Sequence, residues 1–309
     1  MAFTAVKVGK IARTGLGMLI RELVIARTVW TDAVDSFDGA LSDTVTIRMR
    51  GRVAARTRVL RAGTAVAPDT IVEFPVPVVL TTDVYQSVPL SDEVENLDIT
   101  DFAAQILMPQ TEAVALGVED QIADAISGAT FPVGNEIELN EADPYLTAVD
   151  ARKLLNDANV PTSQRTLLVG SGVEAAILKS DRFVKTDNIG TEGAVDALRE
   201  STIGRIAGFN VVQSNAVAEN EAYAYHKTAF ILGLRAPKVP ESVKTGRSES
   251  FAGFAMRWIK DYDYLNTTDR SLVNTWVGTA VVTDPDDPTN VASDRSLIRA
   301  VKITNGESS

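Results

Sequence analysis

Residues 44–63 read "TVTIRMRGRVAARTRVLRAG": six arginines and no acid, in a chain whose formal net charge is −11. Val45, Ile47, Met49, Val53, Thr57 and Val59 fall on odd positions, and Arg48, Arg50, Arg52, Arg56 and Arg58 on even ones. Strand side chains alternate between two faces, so this spacing predicts a strand with one apolar and one arginine face. About seventeen extended residues would span roughly 55 Å, longer than an ordinary strand, which predicts a bend near Gly51. After "RAGTAVAPD" the run "TIVEFPVPVVLTTDVYQSV" is strand-like again, with Pro75 and Pro77 on one parity. Both missing N–H groups then lie on one edge, leaving a single edge for pairing. Together the two segments predict a long β-ribbon that protrudes, rather than a sheet inside a core.

Charge is segregated along the chain. Residues 1–61 hold 11 Lys+Arg and 5 Asp+Glu; residues 62–151 hold 17 acids and no Lys or Arg; residues 152–309 hold 19 of each. A compact monomer usually intersperses the two signs. The charged regions are rich in Val, Ile and Leu, so they are expected to fold rather than to form tails. The ribbon lacks the interleaved aromatics of a single-strand nucleic-acid reader, and the acidic block directly after it would repel a phosphate backbone. Recognition of another copy of the same chain accounts for both signs, because complementary charge sets register and steers encounter. Pairing within one chain is the open alternative, which a protruding ribbon disfavours.

The remaining elements surround this pair. "LGMLIRELVIARTVWTDAV", residues 16–34, sets Leu19, Leu23, Ala26 and Trp30 at helical spacing. A longer helix is predicted from Asp98 or Thr100, either a suitable N-cap, to about Ser127. Pro109 should kink it or split it, and Asp101, Glu112, Glu119, Asp120 and Asp124 are expected on its polar face. Pro144 suits the first turn of a further helix. Downstream, "RTLLV" reads as strand, "GVEAAILKS" as helix, "GAVDALRESTIGRIAG" as helix and turn, and "FNVVQS" and "EAYAYHKTAFILGL" as strands. "FAMRWIKDYDYLNTTDRSLVNTWVGTAVV" reads as two long strands around a polar turn, and "RSLIRAVKIT" as a last strand.

Composition limits the chemistry. Apolar residues make 45% and charged residues 23% of 309, the proportions of a folded globular chain. No stretch has the roughly 18 uncharged apolar residues of a membrane span, and only Thr14 to Ile20 are uncharged before Arg21 in the basic start, a poor signal peptide. Zero cysteines exclude disulfides, Cys-ligated zinc and thiol nucleophiles. His226 is the sole histidine, cannot build a multi-His metal site, and reads as structural beside Tyr225 in a strand. Strand–Gly170-x-Gly172-x-x-Ala175–helix resembles a weakened dinucleotide fingerprint without its following strand, so a plain strand-to-helix turn is expected. "KDYDYLNTTD" and "DPDDP" cluster acids without a calcium-loop pattern and read as turns. No catalytic residue, metal site or cofactor is expected.

The ordered segments "LIRELVIARTVWTDAVDSFDGALSDTVTIRMRGRVAAR", "GTAVAPDTIVEFPVPVVLTTDVYQSVPLSDEVENLDITDFAAQILMPQTEAVALGVEDQI", "ALRESTIGRIAGFNVVQSN", "KTAFILGLRAPKVPE" and "MRWIKDYDYLNT" carry a likeness over most of the chain. Their order resembles the major capsid proteins of tailed bacteriophages, and within them the P22-coat-like branch of the HK97 fold. The resemblance implies an α+β fold: N-arm at 1–40, extended β-hairpin (E-loop) at 41–89, P-domain with a long spine helix at 90–160. A mixed α/β A-domain would follow at 161–236, with P-domain return strands and tail at 237–309. In that family the E-loop lies over the P-domain of a neighbouring subunit. Carried to this sequence, Arg48, Arg50, Arg52, Arg56, Arg58 and Arg61 would meet Asp101, Glu112, Glu119, Asp120 and Asp124 of the next copy.

The function implied is a coat protein forming hexamers and pentamers of an icosahedral head around double-stranded DNA. The chain is shorter than P22-type coats with a large insertion, and little precedes its N-arm, so a separate scaffolding protein is expected. A portal protein and a decoration protein complete the implied partners; DNA contact would be weak and non-specific, with no membrane. Assembly would occur in the host cytoplasm and the product reside in the virion capsid. Two alternatives stand beside this: an encapsulin-type shell around protein cargo, and a nucleotide-binding enzyme using the Gly170 turn.

Overall fold

The computed structural model describes residues 8–31, 43–50, 55, 57–61, 65–66, 73–91, 102–180, 204–251, 253–265, 268–285 and 294–306. The chain begins with helix α1 (Val8–Glu22), followed by ribbon strands β1 (Thr44–Arg50) and β2 (Glu73–Val79) and by strand β3 (Thr82–Leu90). Helix α2 (Met108–Ser127) follows a π-turn at Ala103–Leu107, and then come β4 (Glu136–Glu138), α3 (Pro144–Asp157), β5 (Arg165–Val169) and α4 (Ser171–Lys179). Next are β6 (Arg205–Ile206), β7 (Phe209–Gln213), β8 (Glu221–His226), β9 (Phe230–Arg235), β10 (Thr245–Phe251), β11 (Phe254–Asp263) and β12 (Thr268–Val281). Short strands β13 (Asp284–Pro285) and β14 (Arg295–Ser296) pair with each other before β15 (Ala300–Thr304).

Two sheets organise the fold. An antiparallel sheet runs β10-β11-β12-β3, with β9 pairing the far end of β12; a mixed sheet runs β4-β15-β8-β5-β7-β6. The mixed sheet is buried on both faces. Leu168, Tyr223, Tyr225 and Ala300 join the core under α1 and α2, whereas Leu167, Val169, Ala224 and Val301 face Leu155 of α3 and Ile177 of α4. That double burial explains why "RTLLV" and "EAYAY" are nearly continuous apolar runs instead of alternating ones. It also hides a break: "EAYAYHKTAFILGL" is two strands in different sheets, separated by a 3-10 turn at Lys227–Ala229. His226 makes that turn, its Nδ1 accepting from the Thr228 N–H at 3.3 Å.

The ribbon forms as expected, in antiparallel register from Thr44↔Val79 to Arg50↔Glu73. Leu80 N–H donates to the Asp43 carbonyl, so even positions of β2 face β1 and the prolines at 75 and 77 face the open edge. One expectation needs correction: the root does not protrude. Phe74, Val76 and Val78 are buried with Ile231 and Val282, and Val45, Ile47 and Met49 pack on them. The alternating face that made the segment legible as a strand is apolar enough to bind it to the body. Beyond Arg50 the described residues Ala55, Thr57–Arg61, Ala65 and Val66 are exposed and belong to no strand. The bend expected near Gly51 lies outside the described residues.

The expected helix over 16–34 stops at Glu22, although Leu19, Leu23 and Ala26 are buried. A short 3-10 turn (Ile25–Arg27) replaces its second half, and Trp30 bridges to Ile231. Of the two outcomes expected at Pro109, a kink or a split, the helix shows the split: π-helical geometry ends at Leu107 and the regular α-helix begins at Met108. Pro109 falls at the first turn of the regular α-helix, and the wide π-turn before it absorbs the missing N–H and the ring's bulk. Ser127 and Pro144 end and begin their helices as expected. The caps at Asp98 or Thr100 and the helix within 193–203 lie outside the described residues.

Gly170 tests this architecture. A methyl there would collide with the Ala218 carbonyl, whereas one at Gly17 in α1 meets nothing within 4 Å. Gly170→Ala should therefore destabilise the unassembled subunit by about 2 kcal/mol. Gly17→Ala should stabilise it by up to about 1 kcal/mol, both read from chemical denaturation.

Candidate subunit interface

Helix α2 is held on the antiparallel sheet by a buried polar chain. Gln110 Nε2 donates to the Ser271 carbonyl at 2.8 Å, Ser271 Oγ donates to Gln110 Oε1 at 2.8 Å, and Trp258 Nε1 donates to Ser271 Oγ at 3.0 Å. Every partner is buried, so each bond replaces water that the core has removed. Neither Gln110 nor Ser271 stands out in the sequence; a polar residue within the apolar stripe Leu107, Val114, Val118 was the available signal.

On the ribbon, Arg48 is exposed on the face opposite Val45 and Ile47, and it makes no ion pair with any described residue. Arg58 and Arg61 are exposed near the tip, Arg61 at a φ of 68° in a turn with Leu60. The Arg50 side chain, Arg52, Arg56 and Asp101 lie outside the described residues. On α2, Asp120 and Asp124 are exposed and Glu112 is half-buried.

Glu119 corrects the expectation. It is only 5% exposed and points into its own subunit. Its Oε1 accepts from the N–H groups of Val24 (2.9 Å) and Ala26 (3.0 Å), and its Oε2 from that of Ile25 (2.7 Å). Those three N–H groups cannot then bond back to the preceding turn, which is why α1 ends where it does. The sequence signal was present: Ala115, Ile122 and Ala123, all buried, put position 119 on the apolar stripe at i−4, i+3 and i+4. Burial pushes the Glu119 carboxyl above its usual range, while the three N–H donors and the Arg27 charge pull it back. Beside it the Tyr225 hydroxyl is raised by burial and by the Glu119 charge, against the hydrogen bond to Thr28 Oγ1 at 2.6 Å. Thr28 Oγ1 donates to the Ile25 carbonyl, so Tyr225 is the donor between the two hydroxyls.

The other candidates have structural work. The Gly172 and Val173 N–H groups that would face a pyrophosphate donate to the Glu219 carbonyl, and that of Gly170 to the Glu221 carbonyl. The chain's own backbone thus fills the nucleotide position. Asp261 takes a bidentate pair from Arg270 at 2.8 Å, Asp269 pairs with Lys260 at 3.2 Å, and Asp263 Oδ1 accepts from Leu265 N–H. Burial, then Arg299 and Arg165, hold the His226 imidazole below its usual pKa. Among the described residues no helix is long and apolar enough to cross a membrane. A groove of about 670 Å3 lies at the ribbon root, between Leu80–Asp83 and Arg235, Arg257 and Trp276.

A family profile described as "Phage capsid protein" matches residues 75–293, more than two thirds of the chain. The chain belongs to this family. Solved structures agree on the fold of the capsid protein. A solved structure from Mycobacterium phage Che8 is 18% identical, covers 91% of this chain and 90% of its own, and superposes with a TM-score of 0.60. The capsid of cyanophage P-SCSP1u is 12% identical over 87% of this chain and 85% of its own, at 0.58. The capsid of Ralstonia phage GP4 is 9% identical over 87% and 86%, at 0.55. No curated protein sequence matches the chain. The fold is α+β of the HK97 type, as the sequence resemblance implied, and the chain is a phage major capsid protein. Its place is the virion capsid.

Glu119 makes two measurable claims. Glu119→Ala orphans buried N–H groups and should cost the unassembled subunit about 3 kcal/mol in chemical denaturation. Its folded pKa is raised above 4.5. The stability linked to its proton is therefore complete below pH 4.5 and lost as pH rises through the folded value. Subtracting the Glu119→Gln stability curve from the wild-type curve should give a difference that falls over that interval and is flat above it.

Proposed function

We propose that copies of this capsid protein close, as hexamers and pentamers, into an icosahedral head around double-stranded DNA. The arginine ribbon of one copy lies on the acidic surface of the next. In this reading the ribbon is the E-loop, α2 the spine of the P-domain, and the mixed sheet with α3 and α4 the core of the A-domain. The observation that carries the proposal is family membership across residues 75–293. The docking role rests on Arg48, Arg58 and Arg61 being exposed between root and tip of the ribbon and Asp120 and Asp124 being exposed on α2. Glu119 is withdrawn from that acidic surface because its own subunit uses it.

An acidic chain suits the inside of a DNA container, since a strongly basic wall would hold the genome too tightly for packing and release. A scaffolding protein, a portal protein and a decoration protein are the partners this assembly calls for, with assembly in the host cytoplasm. Negative-stain microscopy of the expressed protein, with and without its scaffold, tests the whole reading: closed shells support it, and a stable monomer under all conditions defeats it. Shells containing one protein cargo and no DNA on maturation would shift the reading to a cargo compartment.

The charged contact has its own test. Arg48→Glu, Arg58→Glu and Arg61→Glu combined should abolish shells and leave a subunit with unchanged circular dichroism. Wild-type assembly, followed by light scattering, should slow with added salt because exposed charges are screened over about 8–10 Å near physiological ionic strength. Salt-independent rates would remove electrostatic docking from the proposal.

A further inference from the structure

The strand order passes the chain between the two sheets three times: from α2 into β4, from β8 into β9, and from β12 into β15. The second pass is the tight one. It turns at Lys227–Ala229 directly after His226, the sole histidine of the chain, which is only 6% exposed. The third pass runs beside it. His226 N–H donates to the Arg299 carbonyl at 3.1 Å, and Val282 N–H to the Ala229 carbonyl at 2.9 Å.

Side chains join the same two passes. Arg299 Nε donates to Asp284 Oδ2 at 2.6 Å, and its Nη1 to Thr228 Oγ1 at 2.7 Å. Thr228 Oγ1 in turn lies 2.9 Å from His226 Nδ1. A guanidinium can only donate, so the hydroxyl oxygen accepts from Arg299 and its proton is left for Nδ1. The Thr228 N–H is aimed at the same nitrogen, at 3.3 Å. Both donors need an unprotonated Nδ1, which puts the ring proton on Nε2. Neutral imidazole is thus the last acceptor in a chain of bonds that begins at Asp284.

A second proton on the ring undoes this arrangement. The Thr228 hydroxyl can turn to accept from it, but the Thr228 N–H then faces a donor and has no acceptor. The new charge is also badly placed. Register Arg165↔His226 and the parity of Leu167 and Ala224 set Arg165 beside the ring on the face toward α3, with Arg152 of α3 near Arg165. Lys227 follows in the turn itself. Arg299 faces the ring from the third pass, and the carboxylate there, Asp284, is already taken by Arg299 through two bonds. Burial and the arginines therefore hold the imidazole below its usual 6.5. The stability linked to neutral His226 is complete above pH 6.5 and lost as pH falls through the folded value.

We propose that His226 is a proton-operated latch between the two sheets: neutral, it clamps the second pass to the third through Thr228 and Arg299, and protonated, it frees the Lys227–Ala229 turn. The opening is local. Tyr225 and Phe230, on either side of the turn, meet edge to face at 5.4 Å and stay in the common core. What loosens is the polar tie that sets how the mixed sheet sits against the antiparallel one. The latch belongs to the single copy and does not depend on the shell reading.

One histidine gives one imidazole signal, so NMR of the unassembled full chain tests this directly. The imidazole should titrate with a midpoint below 6.5. Through that titration, hydrogen-exchange protection of the His226, Thr228 and Val282 amides should fall by up to about tenfold for each unit by which the midpoint is lowered. Leu168 and Val273, inside the two sheets, should keep theirs. His226→Asn offers an acceptor oxygen near the Nδ1 position and cannot take the proton, so protection at the same amides should not change with pH. Glu119 also takes up a proton on acidification, but its partners are the Val24, Ile25 and Ala26 amides, and its share persists in the variant. A midpoint at or above 6.5, protection constant through the titration, or protection lost equally across both sheets would each overturn the latch. So would a loss in His226→Asn equal to that in the wild type. The first three outcomes need only the wild type and decide the matter even where the variant fails to fold.

Discussion

One buried carboxylate ties the start of the chain to its centre. Glu119, on α2, takes the N–H groups of Val24, Ile25 and Ala26 from 93 to 95 residues away, and so fixes both where α1 ends and how the following segment approaches the sheet. Leu16, Leu19 and Leu23 then reach the same core as Val114, Val118 and Ile122, and Trp30 reaches the edge of β9. A negative charge removed from water is costly unless hydrogen-bond donors replace the water. Here backbone donors that a helix end would otherwise leave orphaned do so in part: they offset the desolvation, while burial still holds the carboxyl above its usual range.

That arrangement sets the limit of what the sequence can disclose. The ribbon is legible because one half-buried face alternates with one wet face, and its register follows once Pro75 and Pro77 close an edge. The long antiparallel hairpin of β11 and β12 and the helices at Ser127 and Pro144 are legible for similar local reasons. The break between β8 and β9 is not, since strands buried on both faces show no period to interrupt. The end of α1 is not either: its cause is a side chain almost a hundred residues distant, acting on backbone groups that carry no sequence signal. Glu119 was misassigned because acidity suggested surface, although its i−4, i+3 and i+4 neighbours suggested core. In the site, charge type was readable and burial only partly so.

The nucleotide alternative illustrates how context decides a motif. Strand, Gly170, Gly172 and helix are present in the required order, and the helix N-terminus does act as an acceptor site. Its ligand is the Glu219 carbonyl, delivered by the turn before β8. A short helix whose Gly172 and Val173 N–H groups are already taken by that carbonyl does not offer a phosphate the cradle the motif requires.

Charge segregation gains meaning from where the internal ion pairs fall. Those of the hairpin, Asp261–Arg270 and Asp269–Lys260, and those of Asp284–Arg299 and Glu221–Lys302, join residues of the charge-balanced last half of the chain to one another. That half therefore uses these charges in holding itself together, while its Glu249, paired with Arg247, also takes Arg13 of α1 at 3.6 Å. In the basic first 61 residues the ribbon root is bound to the body by apolar contacts, and Arg48 on its other face is exposed. Were the root held by ion pairs to α2, the same charges could not also choose a neighbour. Binding the ribbon through grease at its base and presenting charge on its open face separates the forces that fold one copy from those that select the next.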